Sequence, residues 1–211
     1  MTLGALSVSE FAGSLASDAP APGGGSASAA AGAFGASLLE MVVRLTLGKE
    51  KYRASWGDLE PLADRLHEAR RRLLELVDED TKAFDAVVAA RRLPKESDSD
   101  KAARQRGIDA ANVLAATVPM QTAFFAHEGL KVAPLVFEKG NPNAASDAWV
   151  AALLLHGAAL GALANVRINL PGVSDPELAR GFREDSADLE KRVTEALEKT
   201  RSLAKTRALT L

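Results

Sequence analysis

The chain has 211 residues, enough for one large domain with a real core. Its 26 Lys+Arg against 28 Asp+Glu leave a net charge of −2, without the basic excess of a nucleic-acid binder. The absence of cysteine excludes disulfides, thiolate nucleophiles and Cys-based zinc sites, and fits a reducing, cytoplasmic setting.

Helical periodicity runs through nearly the whole sequence and strand alternation is almost absent, so an all-α bundle is expected, with 1–211 as a single domain. Met1 to Glu10 lacks a basic stretch followed by an apolar run, so no secretory signal is expected. Ser7 or Ser9 can cap a short first helix reaching about Ser17. Asp18 to Gly25 reads as a Pro/Gly loop, and helix two as Ser26 to about Leu47, ending at Gly48. In Pro22-Gly23-Gly24-Gly25-Ser26 the glycines allow unusual backbone conformations and close approach to a ligand, and Ser26 can cap the helix. The first turn of that helix would favour an anion, although a plain tight turn has the same signature.

Asp58 can cap a third helix, with Pro61 in its first turn, running to about Ala90. A fourth starts at Ser97 or Asp98 and should kink or break at Pro119, with a further piece to Glu138 disturbed by Gly129 and Pro134. Gly140 to Asn143 is a turn. Helix five runs from about Ala144 to Asn169, and Pro171-Gly172 stops it. Its stretch 148–164 is 17 residues long with His156 near the middle. That is short for a bilayer, so a fully buried central helix is expected and no membrane. Asp175-Pro176 opens a last helix rich in Glu, Lys and Arg, mostly solvated. Small residues four apart, Gly32 with Ala36 and Gly157 with Gly161, would allow close packing within the bundle or between two copies.

The third helix carries the sharpest chemical signal. Leu59, Leu62, Leu66, Leu73, Leu76, Val77, Phe84 and Val87 form its core-facing stripe, and Asp80 lies on that stripe. A carboxylate there is costly unless partnered, and desolvation raises its pKa toward general acid or base duty. A structural carboxylate paired with a buried Arg or Lys, or with a helix end, fits the pattern equally. Asp147 and Asn165 share a face of helix five about 27 Å apart, with Asn169 one turn further. They could serve different parts of a long ligand or make interhelical hydrogen bonds. Lys49, Lys51 and Arg53 after Gly48 could receive anions or simply solvate a helix end. Walker A and GxSxG patterns are missing, Ser28 breaks a GxGxxG register, and Lys131 stands where a zincin after His127-Glu128 needs histidine. No metal site is expected.

In order and spacing, PGGGSASAAAGAFGASL (22–38), LTLGKEKY (45–52), VDEDTKAF (77–84), RLPK (92–95), GNPNAASDAWVA (140–151) and NVRINL (165–170) resemble the formimidoyltetrahydrofolate cyclodeaminase / methenyltetrahydrofolate cyclohydrolase family. The resemblance covers about Phe11 to Leu170. It implies an all-helical fold, a homodimer, and a tetrahydrofolate derivative as substrate with no further cofactor. It puts the acid/base at Asp80, and Gly24, Gly25, Ser26, Lys49, Ser146, Asp147, Asn165 and Asn169 at substrate-binding positions. The expected reaction is hydrolysis of 5,10-methenyltetrahydrofolate to 10-formyltetrahydrofolate. The alternatives are ammonia-releasing cyclodeamination of formimidoyltetrahydrofolate and a non-catalytic folate-binding or scaffold role. Cyclodeaminases are best known fused to a formiminotransferase domain, for which this chain has no room, so its length favours the cyclohydrolase.

Overall fold

Ser7 starts the first helix with a capping box: its hydroxyl accepts from the Glu10 N–H while the Glu10 carboxylate accepts from the Ser7 N–H. The same device at Ser97 and Asp100 opens the longest helix. The structure, a computed structural model, describes residues 2–206. Six α-helices follow one another: α1 Val8–Leu15, α2 Gly24–Leu47, α3 Trp56–Arg91, α4 Asp98–Lys139, α5 Ala145–Asn169 and α6 Pro176–Thr206. Short 3₁₀ turns fill several of the joints, and no strand occurs among the described residues. Short connections make consecutive long helices run up and down. α2 lies between α3 and α5, and α4 packs on α3, α5 and α6. One end of the bundle therefore gathers the start of α2, the end of α3, the start of α4 and the end of α5.

The core between these helices is built from small and branched apolar residues. Ala33, Ala36, Leu39 and Val43 of α2 meet Leu66 and Leu73 of α3, and Ala151, Leu155, Ala158 and Ala162 of α5. Glycine is needed at Gly35, where a Cβ would stand 2.7 Å from Leu155 Cγ and 2.9 Å from the Ala151 carbonyl oxygen. The small residues of α2 thus serve tight packing inside the bundle. Gly157 is different: a Cβ there would have nothing within 4 Å.

Several expectations need correction. α2 begins at Gly24, capped by Gly23, so Ser26 sits buried inside the first turn and does not cap. No described glycine has a positive φ, so closeness of approach and not backbone freedom explains the glycine run. α3 starts at Trp56 and leaves Asp58 in its first turn, ion-paired to Lys139.

The prolines of α4 do not break it. The helix runs unbroken for 42 residues with Pro119 and Pro134 buried inside. Pro119 has no N–H to give to the carbonyl of Ala115, four residues back. That carbonyl instead accepts from Asn169 Nδ2 of α5 at 2.7 Å. The neighbouring helix supplies the missing donor, and burial against α3, α5 and α6 holds the helix together.

α2 and α5 are long and apolar enough to span a bilayer by length and composition alone. Their inner faces form the bundle core. α5 is not fully buried, however. Phe34, Met41 and Leu45 of α2 and Val150, Leu153 and Ile168 of α5 are exposed. On α6, Leu189, Val193 and Leu197 are buried, while Arg180, Arg192 and Arg201 pair with acids on its solvated side.

Candidate active site

At the gathered end of the bundle lies a cleft of about 570 Å³, a size suited to a small organic ligand. Gly23, Gly24 and Gly25 form one wall, and Asp80, Phe84, Val87 and Arg91 of α3 another. Asn112 and Ala115 of α4, Asn165, Ile168 and Asn169 of α5, and Pro171-Gly172 complete it.

Asp80 sits at the inner end. Its Oδ2 accepts from the Ser26 backbone N–H at 2.8 Å, with the Ser26 hydroxyl at 2.9 Å. That hydroxyl has one proton and can give it to Asp80 or to the Val77 carbonyl at 3.0 Å. The carboxylate is thus held by the positive end of α2, the helix-end pairing that its place on an apolar stripe left open. No Lys or Arg pairs with it among the described residues. Burial pushes its pKa above the ordinary aspartate value, and the Ser26 hydrogen bonds offset part of that rise. Oδ1 has no hydrogen-bond partner among the described residues and Asp80 lines the cleft, so the group is poised to take and return a proton.

Gly25 permits this contact. A Cβ there would lie 2.0 Å from Asp80 Oδ1 and 2.5 Å from Cγ. Gly24 packs on Asn165, whose Nδ2 donates to the Gly161 carbonyl at 2.8 Å. Asn169 donates to Ala115. Each asparagine is oriented through its NH₂ group, which leaves the amide oxygen as an acceptor. Asn112 donates to the Gly172 carbonyl at 2.7 Å and ties the turn after α5 to α4.

Gly24, Gly25, Asp80, Asn165 and Asn169 therefore come together, with Ser26 behind the carboxylate. Lys49, Ser146 and Asp147 do not join this cleft. Lys49 follows the C-terminal end of α2, and Ser146 and Asp147 open α5. Helices of 24 and 25 residues put those ends about 35 Å from the cleft. Lys49 flanks a second polar cluster, where Tyr52 donates to Asn141, and Asn141 N–H to Thr46.

Arg91, Asn112 and Ile168 line the cleft without having been singled out. For Arg91 a signal existed: 80, 84, 87 and 91 follow helical spacing, so the face that carries Asp80 ends on Arg91. Asn112 and Ile168 depend on which helix ends meet, and no local pattern marks them.

The sequence model described as formiminotransferase-cyclodeaminase matches residues 7–205. The chain is 41% identical to a methenyltetrahydrofolate cyclohydrolase of Methylorubrum extorquens over 178 residues, 84% of each chain. It is 32% identical to a formimidoyltransferase-cyclodeaminase of Sus scrofa over 85% of this chain, but spans only 33% of that protein. The crystal structure of a formiminotetrahydrofolate cyclodeaminase from Thermotoga maritima superposes with a TM-score of 0.84 at 29% identity, covering 96% of this chain and 97% of that one. A cyclodeaminase of matching length exists, so length does not separate the two activities.

Proposed function

The chain belongs to the formiminotransferase-cyclodeaminase family, and from that premise we propose that it hydrolyses 5,10-methenyltetrahydrofolate to 10-formyltetrahydrofolate. The observation that carries the chemistry is the half-desolvated Asp80 carboxylate at the inner end of the cleft, with one oxygen free. The substrate carries a cationic amidinium carbon between two ring nitrogens, which a carboxylate favours electrostatically. Asp80 takes a proton from water as the water oxygen bonds to that carbon, giving a neutral tetrahedral carbinolamine. Asp80 then gives that proton to the departing ring nitrogen as its bond to carbon breaks and takes the carbinolamine hydroxyl proton as the C=O forms, which leaves the formyl group on the other nitrogen and one proton to pass to solvent. The amide oxygens of Asn165 and Asn169 line the same cleft as acceptors for the pterin.

Identity favours this reaction over cyclodeamination, since the cyclohydrolase is 41% identical against 29–34% for the cyclodeaminases named above and their rodent counterparts. The same acid/base could protonate departing ammonia. Absorbance decay of 5,10-methenyltetrahydrofolate with purified protein tests the assignment. Acceleration over buffer supports it. No acceleration, with ammonia release from 5-formimidoyltetrahydrofolate, supports the cyclodeaminase instead. Binding of a reduced folate without either turnover would leave a scaffold role.

We also propose a homodimer through the exposed apolar face of α2 and α5. Phe34, Met41, Leu45, Val150, Leu153 and the open Gly157 line it. Two helices of this length side by side offer about 700 Å² per copy, near the standard for a specific interface. A two-fold axis lying in that face at right angles to the helices would bring Lys49, Ser146 and Asp147 of one copy toward the Ile168 edge of its partner's cleft. That supports their assignment as substrate-binding residues. A cysteine-free helical enzyme of this kind suits the cytoplasm, and neither nucleic acid nor membrane is needed as a partner.

A further inference from the structure

The cleft is not symmetric along α3. Asp80 occupies its inner end, Phe84 and Val87 its middle, and Arg91 its outer end. Asp80 and Arg91 are eleven residues apart on one helical face, about 16 Å along the axis. Arg91 is the one cation lining the cleft among the described residues. A basic last residue of a helix ordinarily complements the helix dipole, but at the end of α3 Arg104 already does that. Arg104 donates to the Arg91 carbonyl through Nε at 3.3 Å and Nη2 at 3.2 Å. The Arg91 guanidinium itself makes no hydrogen bond or ion pair with any described residue. A planar cation with its donors free, at the mouth of a cleft with apolar walls, is built to grip a carboxylate in two-pronged fashion.

We propose that Arg91 anchors the glutamate carboxylate of the folate, which fixes the substrate's direction along α3. This rests on the folate reading above. The one-carbon unit lies at Asp80, the aminobenzoyl ring against Phe84, Val87 and Ile168, and the glutamate at Arg91. A benzoyl ring and an amide bond separate the one-carbon unit from the nearest carboxylate, a span of the same order as the separation along the helix. Longer glutamate chains would then pass Arg91 into solvent.

The test compares 5,10-methenyltetrahydrofolate with 5,10-methenyltetrahydropteroate, which lacks the glutamate, on wild type, R91Q, R91K and K49Q. R91Q should raise KM for the folate about tenfold or more with kcat little changed. Its KM for the pteroate should equal that of wild type, and R91K should fall between. Equal effects on both substrates, or none on either, overturn the proposal. So does a glutamate-specific effect of K49Q without one for R91Q. Calorimetric binding of tetrahydrofolate and tetrahydropteroate separates this from the reaction assignment. A wild type that binds both alike refutes the anchor even where turnover is seen. A wild type without turnover that still prefers tetrahydrofolate through Arg91 refutes the reaction and keeps the anchor.

Discussion

Gly25→Ala tests whether the position of the Asp80 carboxylate matters, not merely its presence. The new Cβ would stand 2.0 Å from Oδ1, where ordinary contact begins at 3.4 Å, so the carboxylate must retreat by about 1.4 Å. That retreat breaks the 2.8 Å bond from the Ser26 N–H and the 2.9 Å contact with its hydroxyl. Hydrogen bonds to a charged group contribute about 1.5–3 kcal/mol each, while alanine in place of glycine in a helix returns about 1 kcal/mol. The net expectation is about 2–5 kcal/mol of lost stability, a fall of several degrees or more in Tm for a chain of this size. A misplacement of about 1 Å costs roughly a hundredfold in rate, so kcat on 5,10-methenyltetrahydrofolate should drop by about that factor. Removing the two bonds that lower the Asp80 pKa should also move the acid limb of the rate profile to higher pH. Stopped-flow absorbance and thermal melts by circular dichroism read both effects. Gly13→Ala, whose Cβ would meet nothing within 4 Å, serves as the control. A G25A protein with wild-type kcat and an unshifted acid limb would refute the reasoning, because it would mean that the carboxylate works from elsewhere.

Asp80→Asn should abolish turnover almost completely while circular dichroism reports the same helix content. In wild type the acid-side loss of rate should have its midpoint above the ordinary aspartate value of 3.8, since burial holds the base protonated to higher pH. Glu40, buried on α2, accepts from Arg44 and Arg70; its burial raises the pKa, but the two guanidinium groups outweigh that and hold it below the ordinary 4.5. A depressed folded-state pKa stabilises above the unfolded value and is lost as pH falls through the folded one. Glu40→Ala should therefore cost about 2–3 kcal/mol in urea unfolding near neutrality, and the gap from wild type should close below pH 4.5. Light scattering should give wild type twice the 22.2 kDa chain mass, and Leu153→Glu on the apolar face should halve it. A wild-type monomer would sink the dimer.

Much of the fold is written locally. The Ser7 and Ser97 caps, the Gly48 stop and the Pro171-Gly172 break lie within two residues of where helices start or end. A cap or stop needs only neighbours within one turn, so the order of residues suffices. Pro119 misled because its cost is also local while its remedy is not. The donor that satisfies Ala115 comes from Asn169, more than fifty positions away. Ser26 misled similarly: it is a good cap residue, but its hydroxyl and N–H are drawn into the bundle by Asp80.

By itself the sequence determined the helices, the apolar stripe of α3 and the presence of a carboxylate upon it, because a 3.6-residue period assigns faces without reference to anything else. Read about three turns beyond Asp80, the same period reaches Arg91. Only the tertiary structure decided what that carboxylate meets. Gly25 lets the start of α2 touch Asp80, and the ends of α3 and α5 converge on the same cleft. Lys49, Ser146 and Asp147 fall at the opposite end because each helix carries its two ends about 35 Å apart. Periodicity tells which side of a helix faces inward. Which ends come together depends on how the helices stack, and that is set by packing among Gly35, Ala151 and Leu155 in the middle of the bundle.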